Sequence, residues 1–283
     1  MADDIKQELT SFYNEATEDY LFWSKDYNMH FGYYKLFRNN PFKRDSMLNE
    51  MNAQIYKRLN PDNTKAFQLA DLGCGMGATM KYGLKKYANL QVTGLTLSAF
   101  QEAEGNQLLE GCNGKIILEN FNHTSFDSNQ LDGIIAMESF CHSGHSYRTL
   151  QEAHRILKPA HRMVIADAFL KKEKEKLSFT TRFCYNKLCE GWKLEGLGDI
   201  KTVEKHLKEI GFKNIVIEDI SFKVAPSVMH VPFAITEFIL RKKLKREAIK
   251  QQSMSNLKGS LYALLSGLHL AAFGYYMITC EKC

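Results

Sequence analysis

Twelve residues constrain this 283-residue chain more than any others: Ala66-Phe67-Gln68-Leu69-Ala70-Asp71-Leu72-Gly73-Cys74-Gly75-Met76-Gly77. A short apolar run closes on an acidic residue, and glycine then takes every second position. The pattern predicts a buried strand, a tight turn and a helix behind it. Gly73, Gly75 and Gly77 let the main chain turn sharply and bring a ligand against bare backbone. The dinucleotide-binding fingerprint sets its third glycine three positions after the second, whereas Gly77 follows Gly75 by two.

The rest of the chain alternates helix and strand. Helical periodicity covers Arg44 to Leu59 and stops at Pro61-Asp62-Asn63. After the glycine turn, Met76 to Tyr87 should be the first crossover helix, its N-terminal amides suited to a carboxylate. Strands are expected at Gln91–Ser98, Lys115–Glu119, Leu131–Met137 and Arg162–Ala168, with a helix over Tyr147–Leu157 ended by Lys158-Pro159. Ser98 is a plausible N-cap for the helix holding Gln101. Gly191–Lys208 reads as one helix and Phe212–Ile220 as a strand. A long basic amphipathic helix is expected through Phe238-Ile239-Leu240-Arg241-Lys242-Lys243, and a closing strand at Tyr275–Thr279. The sum is an α/β chain in which strands and helices alternate.

D-x-G-C-G-x-G from Asp71 resembles motif I of the class I S-adenosylmethionine-dependent methyltransferases. Glu138-Ser139-x-x-His142, followed by E-A-x-R-I-L-K-P-x-x-R-M-V-I-A-D through Asp167, resembles the sterol, tocopherol, sugar and polyketide O-methyltransferases. Asn28-Met29-His30-Phe31-Gly32-Tyr33-Tyr34, preceded by Phe12-Tyr13-Asn14, is similar to the lid segment of tocopherol- and ubiquinone-type enzymes. The resemblance implies a Rossmann-like seven-stranded mostly parallel sheet with helices on both faces, its last strand reversed, an α-helical cap, and S-adenosyl-L-methionine as cofactor. It implies that Asp71, Gly73 and Gly75 hold the methionine end, with Tyr33 and Tyr13 near the carboxylate. Thr96 stands where many such enzymes carry an acidic residue. Thr96-Leu97-Ser98 with Gln101 resembles the cyclopropane-synthase branch, in which Thr and Gln share the ribose. Asn120 falls at the adenine-binding position, with Phe121 against the ring and Leu97 and Met137 beside the cofactor. The implied domains are a lid over 1–60, a cofactor-binding core over 61–223, and a cap with closing strand over 224–283.

Glu138 and His142 follow the fourth strand, on the cofactor side of the sheet's switch point. A carboxylate beside an imidazole can orient it and bring its pKa toward neutral, which suits a general base. His30 and Tyr33 are the next candidates. The expected activity is methyl transfer to carbon or oxygen of a lipophilic small molecule of prenyl-lipid, terpenoid or polyketide kind. N-methylation of a small amine and cofactor binding without turnover are the alternatives. His142 and His145 share H-x-x-H spacing, but no third ligand is evident and no metal is expected.

Net charge is +5, concentrated in runs such as Arg241 to Arg246. The run reads first as a solvated helix face and second as a peripheral membrane contact. No basic–aromatic interleaving suggests nucleic acid. Seven cysteines without a signal peptide point to reduced thiols in a cytoplasmic protein, most of them small buried hydrophobes. Cys280 and Cys283 sit where chain ends fray. Leu261–Thr279 is uncharged enough to mimic a membrane span, yet Gly267 and Gly274 break it and a helix followed by a strand is expected. Met229, Phe233, Phe238 and Leu261 are candidates for an apolar acceptor pocket.

Overall fold

In the computed structural model, which describes residues 23–283, alternate residues of each central strand pack to opposite faces. On β1 (Phe67–Leu72), Ala70 and Leu72 join one core while Leu69 joins the other. On β4 (Leu131–Met137), Ile134 and Ala136 go with the first core and Ile135 with the second. Strands buried on both faces need helices on both, which is what short apolar runs between helical segments demand.

The chain runs α1 (Arg44–Leu59), β1, α2 (Ala78–Lys86), β2 (Leu90–Thr96), α3 (Ala99–Leu108), β3 (Gly114–Leu118), β4, α4 (Tyr147–Ile156) and β5 (Leu157–Leu170). It continues through α5 (Phe179–Trp192), α6 (Ile200–Ile210), β6 (Phe212–Asp219), α7 (Ser221–Val228), α8 (Val231–Leu244), α9 (Gln251–Gly267) and β7 (Phe273–Lys282). The sheet order is β3-β2-β1-β4-β5-β7-β6. β1 to β5 are parallel and β7 runs antiparallel between β5 and β6, as expected. One face packs on α1, with Met51, Ile55 and Tyr56 fully buried, and the other on α4 and α6, through Leu150, Val203 and Leu207. Successive crossovers leave β1 on opposite sides, so a crevice opens beyond the carboxyl ends of β1 and β4.

Several expectations need correction. Gly191–Lys208 is not one helix: α5 ends at Trp192, with Lys193 in the left-handed region (φ 53°). Asp199 then starts α6 by accepting from the N–H groups of Lys201 (3.1 Å) and Thr202 (3.0 Å), a competing N-cap inside the periodic stretch. The basic helix expected through Phe238–Lys243 is α8, which starts at Val231 because Pro232 suits a first turn and not an interior. β5 begins earlier than Arg162, since Leu157 already pairs with Leu131. The C-terminus does not fray: β7 continues through Lys282, and Arg162 holds Glu281 at 2.7 Å. Only Cys141 and Cys280 among the cysteines are buried. Among the described residues no helix is long and apolar enough to cross a membrane. Phe12-Tyr13-Asn14, and with it the role expected for Tyr13, lies outside the described residues.

α5 and α9 cross at two glycines. A Cβ at Gly191 would come within 2.5 Å of Gly259 Cα, and one at Gly259 would collide with the Trp192 ring. Backbone meets backbone there, so no rotamer change relieves a side chain. Gly191→Val should therefore destabilise the protein by about 1–3 kcal/mol, read as a lower urea midpoint with unchanged slope.

Candidate active site

At the crevice the glycine turn takes the shape its composition anticipates. Gly73, Gly75 and Gly77 have φ of 87°, 54° and 77°, a region costly for residues with a Cβ. The turn, the strand tips and the cap enclose a cavity of about 660 Å³. Asp71, Gly73, Gly75, Thr96, Leu97, Gln101, Asn120, Phe121, Met137, Glu138 and His142 all line it. Tyr33 does not. It packs against the α1 core beside Arg58 and Glu218, away from the cavity, which corrects the role expected for it.

The polar residues expected to hold an adenosine cofactor share the cavity's lining. Thr96 donates to the Gln101 amide oxygen at 2.6 Å, so the two candidate ribose groups are already paired on one wall. Ser98 caps α3, as expected, accepting from Gln101 N–H at 3.2 Å and fixing where that side chain starts. Asn120 is held by accepting from Asn122 N–H, and Phe121 packs on Phe140 with ring centres 5.5 Å apart. Asp71 is 3% exposed, and no described residue gives its carboxylate a hydrogen bond. Burial alone raises it to about 7. A buried carboxylate without a donor is an expensive arrangement that a cationic ligand relieves.

Glu138 does not orient His142. Its Oε1 accepts two hydrogen bonds at 2.7 Å, one from Phe31 N–H and one from the Tyr275 hydroxyl. One carboxylate thus joins the lid segment, the tip of β4 and the closing strand. Glu138 adopts φ 49°, a strained value for a residue with a Cβ, at the point where the chain leaves the sheet. Burial raises its carboxyl to about 8 against the opposing pull of those two donors. Glu138 also lines the cavity.

His142 sits in a short 3-10 helix, Phe140–Ser143. Asp167 anchors that helix by accepting from Cys141 N–H at 3.0 Å. Burial lowers His142 to about 4, with Asp167 pulling weakly the other way, so the imidazole is neutral near pH 7 rather than poised at it. Asp167 also lies 3.3 Å from Nε2 of His145. His145 Nδ1 accepts from Gly198 N–H at 3.1 Å, which leaves its proton on the Asp167 side. His145 therefore supports the site from behind. Among the described residues no cluster fit for a metal ion is present.

Residues of the expected lid segment, with Trp23 and Trp192, complete the cavity. Met29 lies over the glycine turn, its Sδ 2.8 Å from where a Gly75 Cβ would stand and 3.8 Å from Gln101 Nε2. Trp23 and Phe31 stack edge to face at 5.7 Å, and Phe31 leans on Trp192 at 6.3 Å. A buried amide chain pins this lid from outside: Thr79 donates to Asn52 (2.9 Å), Asn52 to Asn28 (2.9 Å) and Asn28 to Ser24 (3.2 Å). Gly32 N–H donates to Ser227 at 2.7 Å. Of the expected pocket residues only Phe238 faces the cavity; Met229, Phe233 and Leu261 are exposed because their stripes point outward.

Comparison with known proteins agrees with this geometry. The family described as "Methyltransferase domain" matches residues 70–165, the span from the glycine turn through β5. Cyclopropane mycolic acid synthase 3 of Mycobacterium tuberculosis is 28% identical over 214 residues, covering 65% of this chain and 68% of that protein. The glycine/sarcosine/dimethylglycine N-methyltransferase of Actinopolyspora halophila is 25% identical over 158 residues, covering 54% of this chain but only 27% of that larger protein. A solved cyclopropane synthase from M. tuberculosis superposes with a TM-score of 0.79 at 18% identity, over 97% of this chain and 98% of that one. The chain carries an S-adenosylmethionine-dependent methyltransferase domain of the class I, Rossmann-like kind.

Two predictions follow from the site. Gly75→Val adds a side chain at positive φ in the cavity wall, and calorimetry should show cofactor binding abolished with the fold retained. The second concerns pH. Because burial lifts Glu138 above its ordinary 4.5, the folded state favours the neutral carboxyl. That contribution is complete below about 4.5 and is lost as pH rises through about 8. Asp71 acts in the same sense. The ligand-free protein should therefore melt at progressively lower temperature from mildly acid to mildly alkaline pH, and Glu138→Gln should flatten the slope.

Proposed function

We propose that this chain moves a methyl group from S-adenosylmethionine to a lipophilic small molecule, on carbon or oxygen, of prenyl-lipid, terpenoid or polyketide character. The observation that supports the reading is the apolar and aromatic part of the cavity's lining. Trp23, Phe31, Leu188, Trp192, Ile235 and Phe238 contribute apolar and aromatic surface to the cavity. The named relatives divide between lipid and amine chemistry. A small polar amine would gain little from such a lining, whereas an apolar acceptor gains roughly 25 cal/mol for each Å² it buries.

In this reading Asp71, Gly73, Gly75, Thr96, Leu97, Gln101, Asn120, Phe121 and Met137 hold the cofactor. When bound, that cofactor supplies an activated methyl group on a sulfonium. The chain's own work is to hold the acceptor at near-attack distance and exclude water, worth roughly 7–11 kcal/mol of barrier. Met29, Trp23 and Phe31 close over the site, and Glu138 fixes that closure. His142 is the base where an acceptor proton must leave. A conjugate acid near 4 makes it a weak base for a resting hydroxyl, but a hydroxyl whose oxygen is forming a new bond becomes far more acidic.

The direct test is incubation with methyl-labelled cofactor and panels of terpenoid, prenyl-phenol, lipid and amine acceptors, with product masses measured. A labelled lipophilic product is expected. Turnover confined to amines, or cofactor binding with no product from any extract, contradicts the reading. On the acceptor so found, His142→Ala should lower turnover by about 10²–10⁴-fold with cofactor affinity nearly unchanged. Glu138→Gln should mainly raise the acceptor's KM.

A further inference from the structure

Outside the cavity the feature that most needs an explanation is helix α8, which is apolar along two opposite stripes. Val231, Ile235 and Phe238 follow one another by four and three residues and line the cavity. Phe233, Leu240 and Leu244 recur by seven and four on the opposite side and are 73%, 54% and 83% exposed. A helix apolar on both sides is ordinarily covered on both. Beside it, loop 35–43 presents Phe37 (96% exposed) and Phe42 (87%), and α7 presents Phe222 (76%).

These side chains are held out by fixed backbone. Tyr34 N–H donates to the Lys223 carbonyl at 2.7 Å, and His230 Nε2 donates to the Pro41 carbonyl at 2.7 Å, so the loop is tied to α7 and to the α7–α8 joint. Phe37 itself takes φ 61°, a costly conformation for a bulky residue with no core contact to repay it. Segments 35–43 and 221–246 together carry nine Lys or Arg and a single carboxylate, Glu237, which Arg241 occupies at 2.6 Å. Two copies of this face would set like charge against like. An anionic surface with an apolar interior complements both the aromatic tips and the basic rim.

We propose that this face docks on an anionic lipid bilayer. The exposed phenylalanines and leucines enter the boundary between headgroups and acyl chains, and the lysines and arginines meet lipid phosphates. α8 then separates the cavity from the membrane, with one apolar stripe toward each. The proposal goes beyond the acceptor reading and is tested without any acceptor.

The experiment is flotation of the full chain with vesicles of phosphatidylcholine alone and of phosphatidylcholine mixed with phosphatidylglycerol. The protein should float with the mixed vesicles only, and raised salt should release it. Phe37→Ser and Phe233→Ser should each lower partitioning by about tenfold. Lys243→Glu with Lys245→Glu should abolish it. All variants should keep the parent's melting temperature and cofactor affinity, since none of these residues lines the cavity. Absence of flotation with the mixed vesicles would overturn the proposal. So would equal partitioning of parent and variants, or a parent dimer that Phe233→Ser converts to a monomer.

Discussion

One carboxylate oxygen holds the site together. Glu138 Oε1 receives the Phe31 amide and the Tyr275 hydroxyl, so three segments separated by more than a hundred residues converge on one atom. The arrangement is costly: a buried carboxyl in a strained backbone conformation, raised to about 8. Its two donors favour the ionised form while burial favours the neutral one, and a cationic ligand in the cavity would tip the balance toward ionisation. Closure of the lid, charge at the site and the position of the last strand are therefore coupled through Glu138.

The surrounding fold makes that coupling rigid. β7 lies antiparallel between β5 and β6, which carries Tyr275 back beside the tip of β4. The lid is fixed by the Thr79–Asn52–Asn28 amide chain and by Ser227, so it is tied to α1, α2 and α7 as well as to Glu138. Buried polar chains of this kind stabilise only when each member is satisfied, which makes the lid sensitive to a single amide. The cap completes the enclosure through the Gly191–Gly259 crossing of α5 and α9.

The sequence carried the parts of this structure that local patterning determines. β4 has the bounds its apolar run suggested, and the glycine turn has the positive φ values its spacing required. That Thr96, Gln101 and Asn120 line one cavity was legible because each sits in a motif a few residues long. Three-dimensional partners were not. Nothing near Glu138 in the chain indicates Phe31 or Tyr275, so the carboxylate was paired with its nearest imidazole, His142. Periodicity alone starts α6 too early, at Gly191, because Asp199 acts as an N-cap within the stretch, and it does not say which stripe of α8 faces inward. Tyr33 illustrates the same limit: its neighbour Phe31 meets the cavity, while Tyr33 turns to the α1 core.

The central claim is that Glu138 latches the lid over a cofactor bound at the glycine turn. Backbone hydrogen exchange with and without S-adenosylhomocysteine tests it most directly. The account predicts that ligand slows exchange at the Gly73–Gly77 turn and at the Phe31 amide together, and that Glu138→Gln uncouples them by leaving Phe31 fast. Slowing confined to the turn, or a Phe31 amide equally protected in Glu138→Gln, would contradict it.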